Sequence, residues 1–155
     1  MQSDERGTIS HLSVPLTERL GLEPTGQKLI RREHQGVAVE LKLKAEFIKR
    51  GIMVSDPLFH AAYDFIAEYD GIVNTVQVRS TATTQTNGAS TDYYRIRTKG
   101  IGGYQVLVGH IEPLETTYLI PWNELNGKTW VLIPPNKPSP WDKWKENWDV
   151  FKEVH

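Results

Sequence analysis

The 155-residue chain contains no cysteine. That absence excludes disulfides, thiolate zinc sites and a cysteine nucleophile, and it fits a reducing compartment. Excess charge of either sign is also missing: 18 Lys and Arg stand against 19 Asp and Glu, a formal net charge of -1. With no global basic field, any surface for a polyanion has to be a local patch. Long apolar runs are absent too. None approaches the ~20 residues that span a bilayer, and the opening "MQSDERGTIS" has no apolar signal core. A cytoplasmic protein with no membrane partner is expected. What is present, 39% hydrophobic and 24% charged residues, suits one globular domain with a single core.

Along the chain, the first 30 residues are polar and broken by Pro15, Gly21, Pro24 and Gly26, and read as an N-terminal arm. From Gly36, "GVAVELKLKAEFIKRG" is rich in helix formers and stops at Gly51. The segment "YDFIAEYDGIVNTVQVR" predicts two strands joined by a turn. A polar stretch, "STATTQTNGASTD", reads as a loop. After it come four strand candidates, "YYRIRTKG", "YQVLVGHIE", "TTYLIPW" and "KTWVLI". The Trp-rich tail over 139–155 follows a proline cluster and predicts a helix packed on the domain. A helix, a run of strands and a closing helix make the fold α/β or α+β.

Two places in this plan carry polar groups where apolar ones belong. At about 100° per residue, Val37, Ala38, Leu41, Ala45 and Ile48 share one arc of the first helix, and Leu43 and Phe47 extend it. Glu40 falls on the side that faces the sheet, where a carboxylate needs a partner or a metal. An i, i+4 pair with Lys44 is one reading. In the hairpin, strand alternation places Asp64 on one side of the first strand and Gln77 and Arg79 on one side of the second. If those sides coincide, the three form a polar cluster at one end. With Glu40 they make an oxygen-rich set suited to Mg²⁺ or Mn²⁺, which prefer hard ligands. Read plainly, they are a strand-edge charge and solvated residues on an exposed sheet face.

The order of these elements separates the readings. A helix with "GVAVE", then "KRGI", an extended "VSDP", "YD" and finally "VQVR" resemble the PD-(D/E)XK nuclease superfamily, in particular its group I intron homing endonuclease and Holliday junction resolvase branches. The likeness covers residues 33–80 and, more loosely, "TTYLIPWNEL". It implies a restriction-endonuclease-like core over 31–138, with a mixed central β-sheet flanked by helices. It also implies Mg²⁺- or Mn²⁺-dependent hydrolysis of phosphodiester bonds in double-stranded DNA, by a homodimer or homotetramer.

The resemblance also implies roles for single residues. Glu40 matches the helix carboxylate and Asp64 the central metal-binding aspartate. Gln77 stands at the (D/E) position, where its side-chain oxygen can ligate, and the Val78 carbonyl completes the metal set. Arg79 occupies the lysine position, a departure: arginine supplies charge but gives up no proton, and its planar fork suits phosphate. Lys44, one turn from Glu40, is a substitute for the missing ammonium. Arg95, Arg97 and Lys99 alternate along "YYRIRTKG" and are the candidate DNA-backbone contacts. Two other readings remain open: a catalytically silent DNA-binding module of the same fold, and an interaction module using the Trp-rich tail. Trp141, Trp144 and Trp148, at i, i+3 and i+7, have the spacing that docks a helix. "KGIGGY" reads as a turn, and His60 and His110 as incidental.

Overall fold

The computed structural model describes residues 24–88, 91–98 and 102–155. Contacts divide the chain into two units, Met1–Gln35 and Gly36–His155. Helix α1 (Pro24–Lys49) begins in the first unit, earlier than the helix-forming run at Gly36 suggests. It ends where expected. Gly51 has φ +75°, Gly51 N donates to Ile48 O (2.9 Å) and Ile52 N to Phe47 O (3.0 Å). These paired bonds form a Schellman stop, sealed by burial of both Phe47 and Ile52 in one core.

Eight strands follow: β1 (Met53–Ser55), β2 (Phe65–Tyr69), β3 (Ile72–Thr81), β4 (Thr84–Asn87), β5 (Thr91–Arg97), β6 (Val106–Ile111), β7 (Thr116–Pro121) and β8 (Trp130–Ile133). The first sheet has the order β1-β2-β3-β6-β7 and is mixed, with β3 and β6 parallel and the other pairs antiparallel. The second has the order β4-β5-β8. The β2–β3 turn places Asp70 (φ 49°) and Gly71 (φ 78°) both at positive φ, as a two-residue hairpin requires.

Apolar alternation on the first sheet builds a core on each face. Val76 and Val78 of β3 and Val106 and Val108 of β6 pack with Val39, Leu43 and Phe47 of α1 and with Val150 and Phe151 of the tail. Leu107 and Ile111 of β6 face the opposite way, against Tyr94, Ile96, Val131 and Ile133 of the second sheet. The mixed central sheet is as the sequence implies. Only α1 among the described residues is an α-helix, and a sheet covers the second face.

Three expectations need correction. The buried row of α1 is Val39, Leu43 and Phe47, whereas Val37, Leu41 and Ile48 lie on its exposed side. The aromatic decides the rotation, because Phe47 meets Phe65, Trp148 and Phe151 edge-on at centroid distances of 5.2, 5.0 and 4.8 Å. The polar stretch after β3 contains strand β4, which draws its order from pairing with β5. The tail makes two 3-10 turns, Asp142–Trp144 and Trp148–Lys152, where a helix was expected. Trp144 and Trp148 still dock against the core.

Candidate active site

The hairpin ends unevenly, and the site grows out of that mismatch. Strand β2 pairs with β3 only as far back as Phe65, opposite Val76, while β3 runs on to Thr81. Asp64 N donates to Val76 O (2.8 Å), so the same edge of β3 is turned toward β2 again at Val78, two residues later. No strand residue meets it there, so side chains do. Asp64 Oδ2 accepts from Val78 N (2.7 Å) and from Gln77 Nε2. The Val78 carbonyl accepts from Arg79 Nη1 (3.2 Å) and, more weakly, from Gln77 Nε2 (3.4 Å).

Asp64, Gln77, Val78 and Arg79 therefore form one hydrogen-bonded cluster. Gln77 and Val78 are buried, Asp64 and Arg79 half-buried. Gln77 and Arg79 sit on the β3 face that looks away from α1, the side where Gly109, beside Arg79 in the parallel register, meets Ile96. The structure brings Gln77 to Asp64, while Arg79 reaches this cluster through the Val78 carbonyl.

Glu40 makes the ion pair that its helical spacing suggests, with Lys44 Nζ 2.7 Å from Glu40 Oε1. Lys44 also reaches Asp56 Oδ1 (2.5 Å) and lies 5.5 Å over the ring of Phe65, next to Asp64. Burial disfavours the Lys44 ammonium, but hydrogen bonds to Asp56 and Glu40, with the charges of both, outweigh it and hold the pKa above the ordinary lysine value. Lys44 is thus a fixed cation. Asp56 escaped notice in the sequence, although it stands in the quoted "VSDP"; its signal is an acid directly after the short strand β1.

Among the described residues no group of three or more His, Asp or Glu stands close enough to hold a metal by itself. The donor chemistry nevertheless suits a cation. Asp64, the Val78 carbonyl and Glu40 each direct oxygen at a protein N–H: the Gln77 amide, the Arg79 guanidinium and the Lys44 ammonium. A Gln77 amide turned over would present its oxygen where Nε2 now meets Asp64 and the Val78 carbonyl.

Arg95 and Arg97 lie elsewhere. Tyr94 and Ile96 point into the core between the sheets, so Arg95 and Arg97 project from the outer face of β5. Arg97 stands 5.8 Å from the Trp130 ring. Strand β5 is the central strand of its sheet. Lys99 lies outside the described residues.

A family profile for the PD-(D/E)XK endonucleases matches residues 30–133, from α1 to the end of β8. The chain belongs to the PD-(D/E)XK endonuclease family. Among solved structures it is similar to the bacterial homing endonuclease I-Ssp6803I, with a TM-score of 0.63 at 20% sequence identity, over 74% of this chain and 86% of that one. At that identity the likeness establishes the fold. No curated protein matches the chain. The family match takes in every residue of the Asp64 cluster, the Glu40–Lys44 pair and Asp56. No helix among the described residues of this PD-(D/E)XK member is long and apolar enough to cross a membrane.

Proposed function

We propose that the protein is a metal-dependent endonuclease that hydrolyses phosphodiester bonds in double-stranded DNA, in the manner of homing endonucleases. One observation carries the reading: Asp64, Gln77, Val78 and Arg79 converge where β3 outruns β2, and a half-buried lysine held by two carboxylates lies over the ring of the adjoining Phe65. Asp64, Glu40, Gln77 and the Val78 carbonyl would hold Mg²⁺ or Mn²⁺. The chemistry such an ion supplies is acidification of a water and neutralisation of charge on the departing oxygen.

The protein's own groups divide the remaining work. Asp64 fixes the strand edge and orients Gln77. Arg79, always charged, binds the scissile phosphate through its planar fork and stays protonated throughout. Lys44, held by Glu40 and Asp56, contributes positive charge near the reacting phosphate. Arg95 and Arg97 meet the DNA backbone beyond the site. Cutting both strands requires two such sites, hence a dimer or tetramer.

A second reading has one observation in its favour. Arg79 replaces the lysine that the family places there, which suits a module that binds DNA without cutting it. Incubating the protein with supercoiled, linear and four-way-junction DNA, with and without Mg²⁺, separates the two. The endonuclease converts at least one substrate only when Mg²⁺ is present; the silent module retards the DNA and leaves it intact.

A further inference from the structure

The two most exposed large apolar side chains among the described residues are neighbours. Leu58 is 89% and Phe59 81% exposed, and both sit on the loop between β1 and β2. Resting on the endonuclease reading above, we propose that this Leu58–Phe59 tip is a wedge that enters duplex DNA between base steps beside the scissile phosphate.

The loop's anchors place it there. On one side Asp56 is tied to Lys44 at 2.5 Å. On the other, Tyr63 packs against the second core and Asp64 joins β3 through its backbone and carboxylate. Only Leu58, Phe59 and His60 form a continuous exposed stretch between half-buried Pro57 and Ala61. Both anchors are thus site residues, and the tip is carried between them.

Reach follows from chain length. Leu58 is two residues from Asp56, and Phe59 five from Asp64. Five extended residues span at most about 18 Å, roughly five base-pair steps at ~3.4 Å each. The wedge therefore acts within a few base pairs of the cut. Leucine and phenylalanine are side chains that unstack a base step and kink the duplex, and an aromatic ring stacks on any base without reading sequence.

The test uses relaxed plasmid DNA, a metal-independent topoisomerase and EDTA, so that bound protein is read as unwinding without cleavage. Wild type is expected to shift the topoisomer ladder toward underwound species. The Leu58→Ser/Phe59→Ser double variant is expected to retard the plasmid and lose the shift, while Phe59→Trp keeps it. Side chains this exposed do not hold the fold, so the double variant's melting temperature should match wild type. The wedge is overturned if wild type binds the plasmid without unwinding it, if wild type fails to bind it, or if the double variant unwinds it equally. It is also overturned if the double substitution changes only the oligomeric state in sedimentation, which makes the tip a protein contact. Nicking of the same plasmid in Mg²⁺ is scored separately. Unwinding with no cleavage of supercoiled, linear or four-way-junction DNA in Mg²⁺ sinks the endonuclease reading and leaves the wedge; nicking without unwinding does the reverse.

Discussion

At the scale of single residues, the site rests on how protein N–H groups satisfy oxygens that a broken ladder leaves behind. Arg79 is the sharpest case. It donates to the Val78 carbonyl at 3.2 Å, so in the resting site its fork touches a proposed metal ligand. Arg79→Lys should keep or raise cleavage. Arg79→Ala should lower it about 10²–10³-fold, the usual loss for a charge aimed at a reacting oxyanion. Single-turnover plasmid cleavage checks both; wild-type speed in Arg79→Ala would move the role to Lys44. How Asp64, Gln77 and Arg79 gather was legible in "YD" and "VQVR", because strand alternation fixes sides. The hold of Asp56 on Lys44 was not, since it joins a helix to a loop 12 positions away.

Among the elements, packing between sheets makes a second set of demands. A Cβ on Gly109 would stand 2.6 Å from Ile96 Cδ1 and 3.1 Å from Ile96 Cγ2. Gly109→Ala should therefore destabilise the fold by about 1–3 kcal/mol. Adding Ile96→Val removes Cδ1 and should recover part of that loss, a coupling that denaturant melts of the single and double variants will read. His110 links β6 to β7 through Thr117, with Nδ1 and Oγ1 3.0 Å apart, and it is buried. Burial foremost, then the Lys42 charge, holds its imidazole below the ordinary value of 6.5. The folded state thus favours neutral His110. That stability is present above pH 6.5 and is lost as the pH falls from there toward the depressed folded value. Melting temperature against pH should fall less steeply over this window in His110→Gln than in wild type.

The strands from β5 to β8 and the stop of α1 could be read from β-branched runs and Gly51. The rotation of α1 could not, because Val37, Leu41 and Ile48 form as regular an apolar row as Val39, Leu43 and Phe47. Only the partners, Phe65, Trp148 and Phe151, distinguish the two rows. Strand β4 was hidden for a related reason: "TQTN" has no apolar alternation, and its pairing with β5 supplies the order.

For the whole molecule, a formal net charge of -1 means that affinity for DNA must come from localised cations. Arg97 is exposed on the outer face of β5. If it meets a phosphate, Arg97→Ala weakens binding for all sequences alike and flattens the slope of log K against log salt by about one unit. Anisotropy titrations across salt concentrations measure that slope, and an unchanged value removes β5 from the interface. The central claim is that the Asp64 cluster is a metal-dependent hydrolytic centre. Losing the Asp64 carboxylate also unpairs Val78 N–H, at a cost of about 1–3 kcal/mol, so the variant is compared well below its melting temperature. The most direct test is nicking of supercoiled plasmid by wild type and by Asp64→Ala in Mg²⁺ and in EDTA. The account predicts nicking by wild type in Mg²⁺ alone and by the folded variant in neither. Nicking by Asp64→Ala at the wild-type rate would contradict it.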